Sequence, residues 1–262
     1  MKLRVGDLDV EYRLDGPEGA PVVMASHSLA ADLGMWAPQL PALGRFRVLR
    51  YDSRGHGGTT ATDGAYHFDG LADDAVALLD RLAIPRVHFV GLSMGGMVGM
   101  SLGIRHPARL ASLVLADTMC EVDDAYRRLC DERIRNAGAT GMAPLVEPTI
   151  ARWFTPPTVA ANPPILDAIR AAIASTPVAG YAGCNEALKT LDYRARLGSI
   201  RLPTLVIVGA DDPSTPVAAA RVIAEAVPAA ELVVVPNAAH LANVERPDAF
   251  NAALSGFLGR LA

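Results

Sequence analysis

Polar and apolar residues alternate through "LRVGDLDVEYRL", residues 3–14, and this period of two predicts an opening β-hairpin. The next apolar runs do not alternate. "PVVMAS", "FRVLRYD", "RVHFVG" and "LASLVLAD" are near-continuous, as strands covered on both faces are. Helix-like stretches lie between them, over Leu33–Leu43, Leu71–Leu82 and Met94–Arg105. In the second, Leu71, Val76, Leu78, Leu79 and Leu82 fall mainly on one helical face, and Pro85 is the expected stop. Strands alternating with helices at short loop distances predict a mostly parallel sheet flanked by helices, the α/β class.

The rhythm breaks after Asp117. From Met119 to Leu197 helical patches are interrupted by "FTPPT", "NPP" and "STPVAG", with no convincing β-run. Alternation resumes with "LPTLVIVGADD", a helix over Val217–Val227, the strand "ELVVV" and a terminal helix near Pro247–Leu261. The expected organisation is an α/β core from 1–118 and 198–262, interrupted by a helical cap insertion at 119–197.

Composition narrows the function. The 262 residues are 51% hydrophobic and 20% charged, with a net charge of −4 and no clustered basic stripe, which argues against a nucleic-acid partner. No apolar stretch is long enough to span a bilayer, and "MKLRVGDLDVEYRLDG" lacks the apolar core of a signal peptide, so a cytoplasmic location with no membrane partner is the expectation. Cys120, Cys130 and Cys184 match no zinc spacing and read as reduced, buried thiols. A homo-oligomer is compatible with all of this.

The candidate chemistry sits in Gly91-Leu92-Ser93-Met94-Gly95, a G-x-S-x-G turn with a strand before it and a helix-compatible run after it. In that context the glycines remove two Cβ atoms from a tight turn, and Ser93 is presented at a helix N-terminus whose partial charge favours an oxyanion. A serine hydroxyl needs a base, and the base needs an orienting acid. His240, in the loop after "ELVVV", is the candidate base. For the acid, Asp212 after "TLVIVG" is chosen, with Asp117 and Asp211 as alternatives. The oxyanion donors expected are the backbone N–H groups of Met94 and, from the loop after "PVVMAS", Leu29. "YDSRGHGGT" reads as a structural turn with Arg54 in an ion pair. Neither a metal nor an organic cofactor is called for.

Together these residues resemble the α/β-hydrolase superfamily over essentially the whole chain. "SHSLAADLGMWAPQLPAL", "FRVLRYDSRGHG", "GLSMGG", "ARWFTP", "GYAGCNEAL" and "IRLPTLVIVGADD" are more specifically similar to 3-oxoadipate enol-lactonases. Departures from that pattern are Ala30 in place of glycine, Asp117-Thr118 in place of an asparagine–threonine pair, and His27 in place of an amide-type residue. The resemblance implies hydrolysis of a small enol-lactone acid through an acyl-enzyme, or of another small ester as an esterase or perhydrolase would. A substrate carboxylate calls for a cation in the cap, where Arg152, Arg135 and Arg133 are candidates, with Trp153 and Phe154 as apolar lining.

Overall fold

The apolar runs lie side by side in one sheet. The computed structural model describes residues 1–261. Its strands are β1 (Lys2–Val5), β2 (Leu8–Asp15), β3 (Val22–Ser26), β4 (Arg47–Tyr51), β5 (Val87–Leu92), β6 (Leu110–Ala116), β7 (Thr204–Gly209) and β8 (Glu231–Val235). They are ordered β1-β2-β4-β3-β5-β6-β7-β8. The hairpin β1–β2 runs antiparallel and joins the sheet through β2 against β4, while β4 to β8 with β3 are parallel. Every residue of β5 and β7 is buried, which is why those sequences are apolar without alternation.

Helices α1 (Phe68–Arg81) and α2 (Met94–Arg105) follow β4 and β5. The first buries Phe68, Leu71, Ala72, Ala75, Leu78 and Leu79, a stripe at helical spacing. It ends four residues before Pro85, because Ala83 turns into the left-handed region (φ +53°) and Ile84 N–H closes onto the Leu79 carbonyl. The stretch expected as a helix over Leu33–Leu43 is a 3-10 segment, Leu33–Gln39, with Pro38 inside it and Pro41 beyond it, neither able to donate the N–H an α-helix needs.

Between β6 and β7 the chain forms α3 (Asp124–Thr140), α4 (Val146–Trp153), α5 (Pro156–Ala161), α6 (Ile165–Ser175) and α7 (Val178–Lys189). This helical layer meets the β-α layers by very close backbone approach. A Cβ on Gly180 of α7 would collide with the Gly55 carbonyl, one on Gly55 would collide with the Gly180 backbone, and Tyr66 N–H bonds the Gly183 carbonyl at 3.0 Å. Helices α8 (Val217–Ala226), α9 (Ala242–Glu245) and α10 (Pro247–Gly259) complete the chain. One apolar cluster joins α1, α2 and α8 to one face of the sheet, and a second, with Trp36, Phe250 and Leu254, lies on the other. All three cysteines are free and buried, and burial pushes the Cys120 and Cys130 thiols up to about 11. Among the described residues no helix is long and apolar enough to cross a membrane.

Candidate active site

The C-terminal ends of the parallel strands carry the polar groups. Between β5 and α2, Ser93 is held at φ +54°, ψ −113°, a conformation that side-chain-bearing residues rarely adopt. The flanking glycines make the turn feasible. A Cβ on Gly91 would strike the Gly95 carbonyl, and one on Gly95 would strike the carbonyl of Ser26 at the end of β3. The turn is braced by Ser93 N–H on the Ala116 carbonyl (2.9 Å), Gly95 N–H on the His27 carbonyl (3.1 Å) and Thr118 Oγ1 donating to the Ser93 carbonyl (2.8 Å).

Ser93 Oγ lies 3.0 Å from His240 Nε2, and His240 Nδ1 lies 2.8 Å from Asp212 Oδ2. Residues far apart in sequence thus meet in one chain of hydrogen bonds, all three buried. Asp212 is itself fixed: Oδ1 accepts the N–H groups of Ser214 (2.7 Å) and Thr215 (3.1 Å), and Oδ2 accepts the Thr215 hydroxyl (2.6 Å). Burial alone would raise the Asp212 carboxyl, but the charge of His240, its hydrogen bond and the Thr215 bonds outweigh this and hold it below the usual carboxylate value. It stays an anion, with Nδ1–H of His240 directed at it and Nε2 left to accept the serine proton.

The structure separates the three candidate acids. Asp211 is exposed. Asp117 is wholly buried but turns to the β7 side, its Oδ1 accepting Gly209 N–H at 2.7 Å. Burial and then the negative charge of Asp212 push its carboxyl well above the usual range. Two adjacent buried carboxyls cannot both ionise cheaply, and the one paired with histidine takes the charge.

A narrow cleft opens over Ser93. Leu29 and Met94 line it, and among the described residues neither of their backbone N–H groups has a protein acceptor. The roof comes from the helical layer through Tyr126, Arg133, Thr149, Arg152, Trp153 and Tyr181. The Trp153 ring stands 6.2 Å from the His240 ring. Arg133 lies over the Tyr126 ring at 5.5 Å, and among the described residues neither Arg133 nor Arg152 forms an ion pair with a carboxylate. Burial and then the like charge of Arg133 pull the Arg152 guanidinium down from its ordinary value, and its Nε has no partner. Ser28 Oγ and Ser214 Oγ, also lining the cleft, are unpartnered as well.

Two expected lining residues lie elsewhere. Arg135 is exposed beside Arg128 and Asp131: two residues past Arg133 is about 200° around an α-helix, so when Arg133 faces the cleft Arg135 faces water. Phe154 packs into the second apolar cluster and does not line the cleft, 2% exposed. Arg54 pairs with Asp74 through Nε and Nη2, at 2.8 and 2.7 Å. Sequence reasoning missed Glu245, whose carboxylate accepts Ala239 N–H (2.6 Å) beside the base and Thr155 N–H (2.8 Å) beside Trp153, tying the histidine loop to the roof. It also missed Thr215 and Thr118. Nothing in their spacing marks them, since each acts on a partner brought close only by folding.

Residues 21–247 match the family model described as alpha/beta hydrolase fold. The chain is 36% identical over 259 residues to 3-oxoadipate enol-lactonase 2 of Acinetobacter baylyi, covering 98% of this chain and 96% of that one. It is 33% identical to a putative carbamate hydrolase, RutD, of Variovorax paradoxus, covering 97% of each. The crystal structure of the enol-lactonase from Burkholderia xenovorans LB400 superposes with a TM-score of 0.95 at 37% identity, covering 99% of this chain and 100% of that one. The chain belongs to the alpha/beta hydrolase family. It is a hydrolase, and enol-lactonases are among the relatives it resembles over nearly its whole length.

Proposed function

We propose that the protein opens a small enol-lactone bearing a carboxylate, of the 3-oxoadipate enol-lactone type, with Ser93 as nucleophile, His240 as base and Asp212 as the orienting acid. In this reading residues 119–197 are a cap over the core, and Leu29 and Met94 N–H form the oxyanion hole. The observation that carries the substrate class is the pair Arg133 and Arg152, lacking carboxylate partners among the described residues and facing the same cleft as the Ser93–His240 hydrogen bond. A carboxylate on the substrate would supply the missing counter-charge.

His240 Nε2 takes the Ser93 proton as Oγ attacks the lactone carbonyl, and the two N–H groups stabilise the resulting oxyanion. Collapse breaks the ring C–O bond. The departing enolate oxygen takes the proton from His240, and the opened chain remains as an ester on Ser93. An enolate leaves more readily than an alkoxide, so modest general-acid help suffices. Water then enters, gives a proton to His240 and displaces Ser93, which recovers its proton, and the acid is released.

The enzyme names of the relatives define the test: a panel of enol-lactone acid, p-nitrophenyl acetate and a simple carbamate. The enol-lactone is expected to show the highest kcat/KM, by about 10²-fold or more over the aryl ester, as binding energy at the guanidinium pair is used in the transition state. Equal or faster ester turnover would replace the lactonase reading by that of a carboxylesterase, and faster carbamate turnover by that of a carbamate hydrolase.

A further inference from the structure

Two buried histidines outside the Ser93–His240–Asp212 chain bracket the backbone of Leu29. His27 Nε2 faces Ser53 N–H at 2.9 Å and must accept from it. The neutral ring then carries its proton on Nδ1, which donates to the Ser28 carbonyl at 2.7 Å. His56 is arranged in the same way. Its Nε2 accepts Ala30 N–H at 3.0 Å, and its Nδ1–H points to the Arg54 carbonyl at 3.2 Å. The rings lie 5.1 Å apart and are wholly buried.

The carbonyl of Ser28 and the N–H of Leu29 belong to one planar peptide unit. In a trans peptide these two bonds point in opposite directions, so fixing the carbonyl fixes the direction of the N–H. His56 fixes the next unit by holding Ala30 N–H, at a residue kept in the left-handed region (φ +60°) without being glycine. A donor on the Ser28 carbonyl also polarises the amide, which makes Leu29 N–H a stronger donor. The loop is pinned on its far side by Leu33 N–H to Asp52 Oδ1 at 2.7 Å.

We infer that His27 is a positioning residue for the reaction: through Nδ1 it sets the direction and strength of the Leu29 N–H as an oxyanion donor, with His56 holding the following peptide. The inference rests on the reading of Leu29 as an oxyanion donor to a Ser93-bound intermediate.

An asparagine places its amide nitrogen where histidine has Nδ1, whereas a glutamine reaches toward the Nε2 position. His27→Asn therefore keeps the bond to the Ser28 carbonyl and His27→Gln keeps the acceptor for Ser53 N–H. Turnover of p-nitrophenyl acetate and inhibition by phenylboronic acid, which forms a tetrahedral adduct on serine, are measured for both, with His27→Leu as the full deletion. His27→Gln and His27→Leu should lose on the order of 10²-fold in kcat with KM within about threefold, and bind the boronate correspondingly more weakly. His27→Asn should stay within about threefold of wild type. Equal rates in the asparagine and glutamine variants, at whatever level, overturn the inference, as does a loss confined to KM. That comparison stands even if the leucine variant does not fold. Ser93→Ala is run alongside: turnover retained there would remove the hydrolytic reading itself, whereas its loss together with equal His27 variants removes only this inference.

Discussion

The Ser93–His240–Asp212 chain on the floor of the cleft and the two arginines of its roof are treated in opposite ways. On the floor, at the strand ends, Ser93, His240 and Asp212 are linked in one chain of hydrogen bonds, and Asp212 alone accepts from Ser214, Thr215 and His240. On the roof, among the described residues, Arg152 Nε has no partner and the one hydrogen bond of the Arg133 guanidinium is to the Tyr126 hydroxyl, at 3.5 Å. A floor made rigid in advance has little to reorganise when charge develops, which is where electrostatic catalysis comes from. Cations without protein partners cost folding free energy that a bound anion would restore. Under the proposed function, chemistry falls to the floor and substrate choice to the roof.

That division can be broken by experiment. The largest effect is expected at Asp212→Asn, a loss of about 10³–10⁴ in kcat with KM near wild type, measured by steady-state kinetics. If Asp117→Asn cost more than Asp212→Asn, the assignment of the acid would be inverted. Next, Arg152→Met should raise KM for the carboxylate-bearing lactone about 10–100-fold while leaving kcat and the KM of neutral p-nitrophenyl acetate within about threefold, since a charge-assisted bond is worth about 1.5–3 kcal/mol. A kcat loss shared by both substrates would put Arg152 among the groups that act on the floor.

A smaller effect concerns stability. Asp117 has its folded carboxyl raised, by burial and then by Asp212, well above the ordinary 3.8. Its contribution is therefore full below pH 3.8, where folded and unfolded chains are both protonated, and is lost as pH rises toward the folded value because folding must take up a proton. Asp117→Asn should melt higher than wild type at pH 8, with the gap closing toward pH 3.5, as followed by thermal denaturation across pH. A gap that widened in acid would mean that Asp117 is ionised in the fold. The smallest change is expected for Ala30→Gly. Relief of the left-handed conformation is opposed by the greater freedom of glycine in the unfolded chain, and chemical denaturation should register less than about 1 kcal/mol.

The floor was legible in the sequence where chemistry depends on chain order and local geometry. The all-buried strands β5 and β7 announce themselves as unbroken apolar runs, and α2 begins and ends at the expected Met94 and Arg105. Ser93 is marked by its glycines, and His240 by lying beyond the last strand. Choosing Asp212 over Asp117 needs more, because both end a strand. Their fates differ since β6 lies beside β7, where Gly209 N–H captures Asp117. The roof was less legible. Its cations are visible, but which one faces inward depends on the rotation of α3. Cys130, wholly buried and three residues before Arg133, carries that phase and places Arg135 outside. What His27 and His56 hold is not visible in the sequence, because their partners, Ser53 and Ala30, lie 26 residues away in each case.

The backbone contact between Gly55 and Gly180 has a consequence for how this scaffold can be rebuilt. With no side chain between them, the two chains meet as a joint with no clearance, so any graft of a different roof must bring glycine at the position of Gly180 or lift α7 away from the Gly55 turn. Lifting it would break the bond from Tyr66 N–H to Gly183 and carry Tyr181 out of the cleft. Exchange of substrate range between relatives by swapping helices would then succeed or fail at this one crossing, however well the new lining suits its ligand.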